Sequence, residues 1–131
     1  MNRPATRKLF TPAEANRTLP LVRRIVRDIL DRGQRLRELL EGDELLKTPE
    51  TEDTIAQLRQ ELAEYSRELD SIGCSYKDWN FEIGLIDFPA RIDDRDVLLC
   101  WRSDEDSLTW YHGLTDGFAG RKKIPPELLE E

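Results

Sequence analysis

The chain has 131 residues and carries 20 Lys and Arg against 27 Asp and Glu, a net charge of −7. That length accommodates one modest core, and the negative balance argues against general nucleic-acid binding. No apolar run reaches the roughly 18 residues of a membrane span, and MNRPATRKLF lacks the apolar centre of a signal peptide, so a cytoplasmic location without membrane contact is expected.

Residues 1–9 are polar and basic and read as loose. A helix start follows, because Thr11 can cap, Pro12 suits the first helical position and Glu14 completes a Thr-x-x-Glu capping box. Pro20 removes a backbone donor, so the pattern predicts a short helix over 12–17, a break at Thr18-Leu19, and a long helix to about Leu40. Val22, Ile25, Val26, Ile29, Leu36, Leu39 and Leu40 form one apolar stripe. Gly33 lies on it and would permit close approach of another backbone. The opposite side carries Arg17, Arg23, Arg24, Arg27, Arg32, Arg35 and Arg37. These could track phosphates, but a solvated, internally paired face is the simpler reading.

Gly42 stops that helix and Thr48-Pro49 or Thr51 restarts the chain. A second helix over about 50–72 places Ile55, Leu58, Leu62, Tyr65, Leu69 and Ile72 on a heptad, coiled-coil-like seam, with Gly73 as its C-cap. Its exposed side is acidic. An arginine-rich helix and an acidic one joined by a short connection predict an antiparallel hairpin. Its open seam favours packing on the later region, a homodimer, or both.

After Trp79 the period becomes alternating and predicts strands over about 84–92, 95–102 and 107–112. Asp93-Asp94 makes a tight turn and Ser103 to Asp106 a four-residue one. Counting through these turns puts Ile86, Phe88, Ala90, Val97, Leu99, Trp101, Leu108, Trp110 and His112 on one face. Asp87, Cys100 and Thr109 then form one row on the other. The fold class is α+β: an N-terminal antiparallel helical hairpin packed with a small three-stranded antiparallel β-meander and a glycine-rich C-terminal loop. A single domain over 1–131 divides into the hairpin (10–73), the meander with the glycine loop (74–124) and an acidic tail (125–131).

Five residues are candidate ligand-binding groups: Asp87, Trp110, His112, Asp116 and Arg121. The histidine side chain has the one unperturbed pKa near neutrality, although a histidine hydrogen-bonded to a carbonyl is the simpler reading. Asp116 and Arg121 bracket Gly117-Phe118-Ala119-Gly120, where they could clamp a ligand or lock the loop as a salt bridge. Trp110, with Trp101 and Tyr111, could stack on a planar ligand or fill the core. A carboxylate beside Cys100 argues against a nucleophilic thiol. Cys74 and Cys100 are isolated and the histidines too few for a zinc set, so buried thiols, no metal and no cofactor are expected.

Phe10-Thr11 with Glu14-Ala15-Asn16 and Leu19-Pro20-Leu21-Val22, then GLIDFPA (84–90), Leu99-Cys100-Trp101, Trp110-Tyr111-His112 and GFAGR (117–121) together resemble a bacterial family catalogued as a domain of unknown function. The resemblance runs from Phe10 to about Ile124. Where that family has a Gly-Glu turn after its Cys-Trp pair, this chain has Asp104-Glu105. The resemblance implies no activity or cofactor. The leading functional expectation is a dimeric helical-hairpin module that binds another protein, one version of which inserts its acidic tip into the partner. The alternative is a small-molecule binder or enzyme with its site where the glycine loop meets the sheet, around His112 and Arg121.

Overall fold

A computed structural model describes residues 8–130. The loose basic segment expected at the N-terminus lies, apart from its last two residues, outside them. Helix α1 (Pro12–Glu41) begins with the full capping box, Thr11 Oγ1 accepting from the Glu14 amide and Glu14 accepting from that of Thr11. It then runs unbroken through Pro20, which corrects the expected break. Tertiary contact explains this. Ala13, Ala15, Leu19, Val22 and Ile25 are buried on both sides of Pro20, and that packing offsets the roughly 3 kcal/mol cost of an internal proline.

A 3-10 turn at Glu44–Leu46 leads to α2 (Pro49–Ile72), which ends at Gly73 in the left-handed region with φ 112°. Ile55, Leu58, Leu62 and Leu69 of the seam are buried against α1, and Arg32 reaches across to Glu61 at 3.4 Å. A Cβ at Gly33 would lie 2.1 Å from the Phe81 ring, so what this glycine admits is an aromatic side chain and not a backbone. Gln34 and Arg37 donate to the carbonyls of Phe81 and Asn80 and fasten that loop to α1.

The rest is a five-stranded antiparallel meander in chain order, not the three strands expected: β1 (Ser75–Tyr76), β2 (Leu85–Ile92), β3 (Arg95–Arg102), β4 (Trp110–Gly113) and β5 (Lys122–Lys123). Two-residue strands leave too short an alternation to register in the sequence. Asp93 and Asp94 both take positive φ, 53° and 63°, as the tightest hairpin turn requires, and this sets Asp87 opposite Cys100 as expected. The face of β2 and β3 that carries Ile86, Phe88, Ala90, Val97, Leu99 and Trp101 is buried against the helices. Phe10 meets Phe88 edge-on, and Val26 occupies the space beside Gly84. A short helix, α3 (Pro126–Leu129), closes the described chain, and its Leu129 packs on the core.

The register of β4 differs from expectation by one residue, with Cys100 opposite Trp110 and Leu98 opposite His112. The turn is a longer loop and Leu108 is not in a strand. Its amide donates to Asn16 Oδ1 at 2.8 Å, and Asn16 Nδ2 donates to its carbonyl at 2.9 Å. Leu108 is fully buried while α1, rather than β3, satisfies its backbone. Trp110 and His112 therefore belong to the sheet face turned away from the helices.

Candidate functional site beneath the glycine loop

That outer face would be the wet side of a simple two-layer α+β protein, yet Asp87 and His112 are only 5% and 3% exposed. The segment after β4 covers them. Asp116 Oδ2 accepts from the Gly113 amide, and a Cβ on either Gly113 or Gly120 would come within 2.6 Å of the Asp116 side chain. At Gly120 the atom met is the Asp116 Cβ, so that glycine is needed for the loop to close, whereas at Gly113 it is the carboxylate oxygen that the Gly113 amide already holds. Gly117 adopts φ 67° and Phe118–Gly120 forms a 3-10 turn that feeds β5.

Arg121 does not pair with Asp116. It lies between the Trp110 and Phe118 rings, 4.9 and 4.8 Å from their centroids, and donates to Glu105 Oε1 at 2.7 Å and the Cys100 carbonyl at 3.2 Å. Glu105 is the hub of this corner. Its carboxylate also accepts from the Arg102 amide, and its carbonyl accepts from Trp101 Nε1. Glu105 lies in the loop between β3 and β4, outside any periodic pattern, and pattern reading passes over it.

Beneath the loop is a cavity of about 320 Å³. Its floor is Asp87, Cys100 and His112; Leu85, Leu98, Leu114 and Phe118 form apolar walls, and Lys77 stands at the side. That volume lies at the lower end of small-molecule sites, and apolar walls around a few convergent polar groups are their usual composition. Of the five residues singled out from the sequence, Asp87 and His112 line this space together. Trp110, Asp116 and Arg121 lie outside the lining and hold the loop that roofs it. Cys100, Lys77 and the apolar lining residues were not among the five, although the sequence did place Cys100 beside Asp87.

Asp87 and His112 come from β2 and β4 and reach toward each other across β3, bringing Nε2 within 3.2 Å of Oδ1. His112 Nδ1 is 2.8 Å from the carbonyl of Gly113. A carbonyl only accepts, so Nδ1 carries the hydrogen, and a neutral ring then presents the bare lone pair of Nε2 to the carboxylate. The carbonyl bond expected for this histidine and its contact with Asp87 therefore coexist. Two acceptors face each other, and only a hydrogen or a cation between them satisfies both. Burial raises the Asp87 pKa above the ordinary range, with His112 the chief opposing influence. Burial, then the Asp87 charge, pushes the Cys100 thiol up to about 11 against the opposing influence of Arg121.

These observations define an α+β protein with a helical hairpin on one face of its sheet and a roofed polar cluster on the other. Residues 8–124 match the family model described as "Uncharacterized conserved protein (DUF2203)", and the chain belongs to that family. No curated protein and no solved structure matches it.

Proposed function

We propose that this protein binds a small molecule in the cavity between the outer sheet face and the 113–121 loop. Asp87 and His112 would meet the ligand's polar group, and Leu98, Leu114 and Phe118 its apolar body. The observation that carries this reading is the burial of a carboxylate and an imidazole at the floor of an apolar-walled space of about 320 Å³. Burying such groups costs several kcal/mol in principle, and Asp87 and His112 adjoin the cavity rather than packed core. Trp110, Asp116 and Arg121 act in this proposal by holding the roof closed. The test is a saturation-transfer NMR screen of a fragment library against the parent chain and Leu98→Trp, which fills the cavity from its wall. Fragments that bind the parent and are lost in Leu98→Trp are the expected result. Equal binding to both chains would end the proposal.

A second reading, a dimeric hairpin module that captures a protein partner, is supported by the hairpin tip, where Leu45 is 92% and Leu46 76% exposed. Native mass spectrometry tests it: a dimer or a captured partner that disappears in Leu45→Asp/Leu46→Asp is expected, and a monomer at all concentrations counts against it. Among the described residues no helix is long and apolar enough to cross a membrane. The free buried thiols of Cys74 and Cys100 fit the reducing cytoplasmic setting that we assign to the protein.

A further inference from the structure

We infer that Asp87, Cys100 and His112 form a mononuclear site for a zinc-like divalent transition metal, held by three protein ligands with a further coordination position open to the cavity. The inference rests on the cavity reading above and deepens it, by giving the pocket floor a Lewis acid.

Spacing is the first support. One ligand atom from each residue lies within 4.8 Å of the other two, and the imidazole nitrogen and carboxylate oxygen are already 3.2 Å apart. A tetrahedral zinc ion with bonds of about 2.0–2.3 Å sets its ligand atoms roughly 3.3–3.6 Å from one another. The nitrogen and oxygen need no approach, and the sulfur needs at most about 1.5 Å, within reach of a side-chain rotation.

Orientation is the second. Donation from Nδ1 to the Gly113 carbonyl is the outer-shell contact that fixes a metal-binding histidine with Nε2 free. Here that nitrogen and a carboxylate oxygen stand 3.2 Å apart, so a cation about 2.0 Å from each would sit beside the line that joins them, on the cavity side. The ligands also come from three adjacent strands on one sheet face, so backbone pairing holds the set in place.

Charge is the third. One carboxylate, one thiolate and one neutral imidazole around a doubly charged ion sum to zero, the combination least costly to bury among Leu85, Leu98 and Phe118. The nearby Arg121 is matched by Glu105 and adds no net charge, whereas Lys77 at the side of the cavity adds one positive charge that the set does not balance. Magnesium and calcium prefer all-oxygen shells, whereas a mixed nitrogen, sulfur and oxygen set suits zinc and its neighbours. Three protein ligands beside a cavity follow the pattern of open, reactive sites rather than closed structural ones.

The test uses the full chain, reduced, stripped with a chelator that is then removed, and titrated anaerobically with Co2+ followed by Zn2+. Expected are saturation at one equivalent, a thiolate-to-cobalt charge-transfer band in the near-ultraviolet, intense visible bands of a tetrahedral ion, and displacement by Zn2+. Cys100→Ser should abolish the near-ultraviolet band, and Cys74→Ser should keep it. His112→Ala and Asp87→Asn should each weaken binding at least about tenfold, because even loss of an outer-shell partner costs that much. Should His112→Ala fail to fold by circular dichroism, the near-isosteric Asp87→Asn carries the comparison. Absence of saturable binding, a band that survives Cys100→Ser, or unchanged affinity in folded Asp87→Asn overturns the inference. Fragment binding in the presence of chelator, lost in Leu98→Trp, with no cobalt band would overturn the metal site and leave the cavity reading standing. A one-equivalent cobalt band without any fragment binding would do the reverse.

Discussion

The two faces of the meander are made from the same strands and obey opposite rules. The inner face, with Phe88, Leu99 and Trp101 fully buried, meets the helices chiefly through apolar side chains; Arg23 of α1 lies over the Trp101 ring at 5.2 Å, and the Trp101 N–H finds the Glu105 carbonyl. The outer face buries a carboxylate, an imidazole and a thiol under a loop whose Leu114 is itself 60% exposed. Apolar burial needs no further explanation, because it stabilises the chain. Polar burial under a thin roof does, because it gives up solvation that a surface position would keep. The contrast separates the part of the sheet that holds the fold together from the part where chemistry is to be sought.

Substitutions should grade along this contrast. The largest effect is expected from Trp101→Ala on the inner face, which empties a fully buried site and should lower unfolding free energy by about 3–5 kcal/mol in urea titration. A loss below about 1 kcal/mol would show that the inner face is not the main core. Asn16→Ala comes next. It strips the partners from the Leu108 N–H and C=O, at about 1–3 kcal/mol for each group left buried and unpaired. Faster amide exchange in β4 should accompany it, together with loss of fragment binding, since the strand is then free to turn His112 inward.

Asp87→Asn on the outer face should change stability by no more than about 1 kcal/mol, because an amide offers Nε2 a hydrogen without burying a charge. A large destabilisation there would make the carboxylate a structural anchor and erase the distinction between the faces. Glu14 lies on neither face and serves as the control. Its hydrogen bond to the Thr11 backbone holds its pKa below the ordinary value, so its contribution is present at neutral pH and is lost as pH falls through the lowered value. Glu14→Ala should therefore narrow the stability difference between pH 7 and about pH 3, with fragment binding at neutral pH unchanged.

Much of this was legible in the sequence where the cause is local. The capping box at Thr11, the heptad positions of α2, the Gly73 cap and the Asp93-Asp94 turn are each written within a few residues, and each forms as expected. Where the cause is distant, reading stops. Pro20 breaks a helix in isolation but not one pinned along its buried face, and nothing beside Gly33 announces Phe81. The candidate site divides in the same way. Asp87, His112 and Arg121 stand out by residue type, and Asp87 opposite Cys100 follows from the turn. That His112 joins them follows from a loop whose length is set by Asn16, 92 residues away from Leu108 along the chain.

That contact also orders the way the molecule assembles. Alternation of side chains along β4 admits two parities, and the hairpin after β3 does not by itself select between them. Selection waits for a side chain on α1 to meet a backbone near the other end of the chain, a closure across most of its length and so among the slow ones to form. The polar pocket floor therefore depends on that contact: with the helices and the β2–β3 hairpin in place, the Asn16–Leu108 pair is what turns the imidazole to the outer face. Pulse labelling checks this: β4 amides of Asn16→Ala should gain protection more slowly than those of the parent chain, and equal protection would show that the strand finds its parity without α1.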